Sequence, residues 1–261
     1  RAGVMTPTVS IGYIKIAANI LTATLAAEQK AYIEKVNITS SGATTVTSAL
    51  NQSADHGARA ILGSSAGSLG AEVSYYGVTA NTAIALADAK NYAYVNGASF
   101  GDLTTRVGAL AVKSAGNSIA IADISAGALS AGLVSLGVSV LYADANGDYQ
   151  AYVDTTGALL NVDSLSVNNT YTASAKARTT QPIGGTISGF EADVNVALAS
   201  VGIKAEAAIK GNGTIMTPGL VTVQVTGTAT ADAGVGTPMI TLSGIKIAVN
   251  VITATLNAVQ K

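Results

Sequence analysis

The residues best suited to proton or metal chemistry are one histidine, His56, and a set of 15 acidic side chains spread along 261 residues. His56 lies in Ala54-Asp55-His56-Gly57-Ala58-Arg59, where an imidazole beside a carboxylate could act as a base. The segment offers it no nucleophile to activate, so His56 reads as an exposed turn residue. Asp144, Asn146 and Asp148 place oxygens at every second position, as the opening of a calcium loop does. The loop pattern then demands Gly at its sixth place and Glu at its twelfth, where Tyr149 and Thr155 stand. A hairpin or coil corner built on Asn146-Gly147 is the reading favoured there.

Gly63-Ser64-Ser65-Ala66-Gly67 is read as a turn rather than the nucleophile elbow of a hydrolase. Thr226, Thr228 and Thr230, with Thr22-Ala23-Thr24 recurring as Thr253-Ala254-Thr255, could form a flat hydroxyl face that orders water. The rows are intermittent, and outward threonine is favoured in strands in any case. Asn37, Asn51, Asn168 and Asn212 begin glycosylation sequons of the kind that an Asn/Ser/Thr-rich chain produces by chance. No catalytic, cofactor-binding or metal-ligating residue is assigned, no cofactor is expected, and the chain is not read as an enzyme.

The surroundings of these residues are unusual for a soluble domain. Only 11% of residues are charged, against about 25% in ordinary globular proteins. A net charge of -1 without basic clusters argues against a nucleic-acid partner. A mean hydropathy of +0.42 supplies enough apolar surface for folding. Without cysteine, an exported form must be held by backbone pairing rather than by disulfides.

Two levels of repetition organise the chain. Residues 2–30 match residues 233–261 at an ungapped offset of 231, with 17 of 29 pairs identical. One full period plus the start of the next is therefore expected, from tandem 231-residue units in a longer polypeptide, with Arg1 and Lys261 not natural termini. A looser sub-repeat starts at Val36, Leu110, Leu165 and Val221, each time as an apolar-x-apolar step followed by polar alternation. Such nesting is the mark of a solenoid whose units bury their neighbours' apolar faces.

The period within blocks is two. Leu21, Ala23, Leu25, Ala27, Ala31 and Ile33 alternate with Thr22, Thr24, Glu28, Lys30, Tyr32 and Glu34, as a strand with one dry face requires. A short helix through residues 25–35 competes, since Ala, Glu, Gln and Lys favour helix. Ile245, Ile247, Val249 and Val251 likewise share one face, and Lys246, Ala248 and Asn250 the other. The uncharged run Ile124 to Ala143 is long enough for a membrane helix, but its Ser, Gly and β-branched residues favour buried strands. Asn96-Gly97, Asn146-Gly147, Gly211-Asn212-Gly213 and Pro182-Ile183-Gly184-Gly185 supply turns. No signal peptide is visible after Arg1.

An all-β parallel β-helix follows, continuous over residues 1–261. If each sub-repeat of about 55 residues held two coils of common size, the 231-residue period would form eight to ten coils. The blocks LSVNNTYTASAKA (165–177), ADVNVALASVGIKAEAAIKGNG (192–213) and VTVQVTGTATADAGVGTP (221–238) resemble repeats of leukotoxin-type filamentous adhesins. Those are relatives of the filamentous haemagglutinins exported by two-partner secretion. The resemblance implies a secreted, right-handed β-helix on the bacterial outer surface, acting as the rod of a fibre in cell adhesion. Its partners would be neighbouring repeats stacked head to tail, laterally associated filaments and a surface receptor. A polysaccharide-active β-helix enzyme and part of a secreted cytotoxin are the alternatives.

Overall fold

The computed structural model describes residues 2–4, 9–51, 53, 56–63, 70–125, 128–179, 185–236 and 240–261. Among them there is no helix, and the strands assemble into three parallel sheets. The fold is a parallel β-solenoid of five stacked coils. The first contains β1 (Ala2–Val4), β2 (Val9–Glu34) and β3 (Asn37–Ile38). The second contains β4 (Thr44–Leu50), β5 (Ala58–Gly63), β6 (Gly70–Asn96) and β7 (Ser99–Phe100). The third contains β8 (Leu110–Ser125), β9 (Ala128–Asp154) and β10 (Leu159–Asn161), and the fourth β11 (Leu165–Thr179), β12 (Gly185–Lys210) and β13 (Thr214–Met216). The last holds β14 (Val221–Val235) and β15 (Ile240–Gln260). The helix considered for residues 25–35 is strand as far as Glu34, with Lys35 in the bend that ends it, and the described residues of the run Ile124 to Ala143 are strand too.

Each sub-repeat is thus one large coil, not two of common size, and the expectation of eight to ten coils is corrected to four per period. The coil is large because one side of it is a strand of 26 or 27 residues. One ladder runs from Ile14 through Tyr76, Val134 and Phe190 to Ile245, one rung per coil, and the steps shorten slightly along the chain. Ile14 and Ile245 therefore stand one full sequence period apart on the same ladder, as do Ala2 and Ala233. The matched segments occupy the same place on the coil, four rungs apart.

Leu110, Leu165 and Val221 are ladder partners, but Thr44 and not Val36 stands opposite Leu110. The Val36 anchor is corrected accordingly. Its apolar-x-apolar step belongs to β3 on the short third sheet, and two extra loops displaced the spacing. One lies between β4 and β5, where seven residues separate Leu50 from Ala58 against three separating their partners Gly116 and Ala120. The other, residues 101–109, joins β7 to β8.

The interior is a wedge. Toward one end Ala83, Ala85, Ala87, Ala143, Ala145, Ala197 and Ala199 of the long sheet meet Ala60, Ala120, Ala122, Ala175 and Ala177 of the opposing sheet, all buried. Side chains this small let two sheets close without voids. Toward the other end Phe100, Leu110, Val153, Leu160, Val162 and Leu165 fill a thicker core, and the short sheet of β3, β7, β10 and β13 closes it.

Two tyrosines enter this narrow space where glycine makes room. Tyr149 of β9 is fully buried, and a Cβ added to Gly116 or Gly147 would lie 2.3–2.4 Å from its ring. One coil further on Tyr171 takes the Gly116 position, opposite Ala205, and stacks on Tyr149 with centroids 5.8 Å apart. Asn146-Gly147 therefore lies within strand β9 and makes no corner, correcting that reading. Its glycine accommodates a ring, whereas Gly97, with φ of 58°, does terminate β6 in a turn.

Candidate functional site

His56 is exposed and its backbone N–H donates to the Ser53 carbonyl at 3.0 Å, within the loop between β4 and β5. Asp55 and most of the 63–67 segment lie outside the described residues, as do residues 182–184. Asp144, Asn146 and Asp148 point outward from one extended strand, so their oxygens do not wrap a common centre. The Asn146 amide donates to Asp144 at 2.8 Å, while Tyr92 Oη and the Gln150 amide each donate to Asp148 at 3.0 Å. Among the described residues no three metal-binding side chains converge. Thr226, Thr228 and Thr230 sit above Thr170, Thr172 and Ser174, but the next coil offers Ala115, Asn117 and Ile119, so the hydroxyl rows stop after two coils.

The distinctive surface is the outer face of the long sheet, and it has two zones. Toward the C-terminal ends of the strands, Tyr32, Tyr94 and Tyr152 stack as a ladder with centroids 5.2 and 5.0 Å apart. Lys210 Nζ lies 4.8 Å from the centroid of the Tyr152 ring. In that geometry the inner rings present edges and hydroxyls to solvent rather than faces. Four residues earlier a charge ladder runs Glu28, Lys90, Asp148, Lys204, alternating in sign from coil to coil. The Tyr92 phenol beside it is pushed up to about 12, first by burial and then by its hydrogen bond to Asp148.

The second zone lies between residue 22 and its equivalents and a bend in every coil. The ladders skip Tyr13, Tyr75, Leu133, Gly189 and Gly244, and a Cβ on Gly77 would lie 3.2 Å from Ser74 Oγ. An extended strand would hold residues three apart about 10 Å from each other, so the strand bends sharply here. A cleft of about 550 Å³ runs across three coils at this bend, lined by Ile11, Tyr13, Val73, Tyr75 and Leu133 among others.

Beyond the bend the alternation is turned inside out. Ile14, Ile16, Ala18 and Ile20 and their ladder mates face solvent, whereas Glu191, Asp193 and Lys246 face inward. Lys246 Nζ lies 3.1 Å from Glu191 and 3.9 Å from Asp193, and the Asn195 amide donates to Asn250 at 3.1 Å. Burial, then the hydrogen bond and repulsion from Glu191, raise Asp193 to about 6, with Lys246 opposing. A carboxyl raised on folding stabilises below its unfolded value of 3.8 and loses that contribution as the pH climbs to about 6. Asp193→Asn should therefore flatten the fall in melting temperature between about pH 4 and 6 and raise the midpoint at pH 7. Thermal melts across that range check it; parallel wild-type and variant curves would refute it.

No family model, curated protein or solved structure matches the chain.

Proposed function

We propose that the chain is a repeat segment of a long structural fibre, the rod or stalk of a filamentous adhesin at a bacterial cell surface. The observation that supports this reading is the coincidence of the 231-residue match with four whole rungs. A following unit would continue the ladders without a change of register, because the fifth coil presents to it what the first coil presents to the second. Stacking then extends the rod rather than closing it. The scattered carboxylates of the described surface favour this over a polysaccharide-active enzyme, which needs a clustered acidic groove.

The Glu191–Lys246 pair gives the reading a specific junction. Lys246 is the 231-offset equivalent of Lys15, so in an array each unit's Glu191 receives the lysine of the next. Polypeptides of two, three and four tandem units, imaged by electron microscopy, should be rods that lengthen by about 19 Å per unit, four steps of about 4.8 Å. Beads on a flexible string, or a length independent of unit number, would overturn it.

A further inference from the structure

We propose that the apolar zone of the long sheet is an interface between laterally paired copies of this chain, a contact distinct from the end-to-end stacking of the stalk reading and independent of it. Five outward rows cross five coils there: the rows through Val134, Leu136, Val138, Val140 and Tyr142 and their partners on either side. None of these positions is charged, and apart from three threonines and the tyrosine hydroxyls all are apolar. The exposure is not an effect of the uncovered end coils, since in the central coil Leu136 is 38% and Val138 41% exposed.

The area identifies the occupant. Rows about 6.7 Å apart and coils about 4.8 Å apart make a field of about 800 Å². That exceeds the largest apolar patch of a typical monomer, about 300–600 Å², and equals the roughly 800 Å² that each partner contributes to a stable protein interface. A second copy offers the same area, the same spacing of ridges and the same lack of charge, so two faces can pack as the layers of a β-sandwich do. A two-fold contact makes the patch self-complementary. The charged and tyrosine zone, starting two positions beyond the last apolar row, stays in water and sets the edge of the contact.

Val138 is the middle row of the middle coil, so a two-fold axis through the patch centre brings it to its own copy. The chain has no cysteine, which leaves an introduced one unique. The full chain should sediment as a dimer or larger species at micromolar concentration, and Val138→Cys should be joined to its copy by a short bis-maleimide. Lys90→Cys, in the charged zone of the same sheet, should not. Leu136→Glu with Val138→Glu should give a monomer with an unchanged β-sheet circular dichroism spectrum.

A folded wild-type monomer throughout, or crosslinking of the Lys90→Cys variant as readily as of Val138→Cys, would overturn the proposal. So would an oligomer that survives both glutamates but dissociates on changes in the end coils; that result leaves the stalk reading intact. A monomer that instead binds phosphatidylcholine vesicles would overturn it too, and would mark the face as lipid-binding.

Discussion

Gly116→Val is expected to destabilise the chain by about 3 kcal/mol, at the upper end of what overpacking a tight core costs. The first added carbon would fall 2.3 Å from the ring of Tyr149. That ring is fully buried, with Tyr171 stacked on one face and Gly147 against the edge opposite Gly116. Chemical denaturation with a far-ultraviolet probe measures the loss. Tyr149→Ala alone should cost about 4 kcal/mol as a large-to-small change. Combined, the two should cost less than their sum by about 2 kcal/mol, since the valine refills space the ring vacated. Strict additivity would show that residues 116 and 149 do not compete for one volume.

The second large effect concerns a buried amide. Asn91 is fully buried on β6, where its side chain bridges the two facing sheets. Ser48 Oγ donates to its carbonyl oxygen at 2.5 Å, and its amide donates to the Ser48 carbonyl, Ser114 Oγ and the Ala115 carbonyl at 2.9–3.0 Å. Asn91→Leu keeps the volume but strands several polar groups away from water, at about 1–3 kcal/mol each before relaxation. A loss of about 4 kcal/mol is expected from those groups together. Adding Ser48→Ala should recover part of it, because the hydroxyl that lost its acceptor is then gone, whereas Ser114 Oγ still donates to the backbone carbonyl of residue 91 at 3.2 Å. If the double variant is no more stable than Asn91→Leu, the penalty comes from shape and not from unmet hydrogen bonds.

Much of the ladder is legible in the sequence because a strand's alternation is local and its register is carried by repetition. The steps from Leu110 to Leu165 and from Leu165 to Val221 can be read without coordinates, as can the offset of 231. Coil size cannot, for it depends on which Gly pairs turn the chain. Asn96-Gly97 and Asn146-Gly147 look alike, and only the structure tells that the second glycine makes room for Tyr149. Sidedness is also hidden. Alternation places Ile245, Ile247 and Val249 on one face and Lys246 on the other, but nothing local says which face looks inward. Beyond the bend the lysine does, because Glu191 below supplies its counter-charge. The apolar zone is therefore invisible to alternation alone. The signal that could find it is the column of uncharged residues at matching positions in all five long strands, visible once the coil length is known.

The coil size has a mechanical consequence. The hydrogen bonds of a parallel solenoid run along its axis, so tension on such a rod is shared at each junction by every ladder bond of the three sheets at once. When a junction does yield, a coil of the fourth-to-fifth type releases the whole stretch between two rungs, such as that from Asn195 to Asn250. Drawn out at about 3.4 Å for each residue, that stretch spans about 190 Å. This is roughly forty times the axial rise of about 4.8 Å that the coil occupied. If the chain serves as the proposed stalk, a pull would be met by spooling out slack one coil at a time.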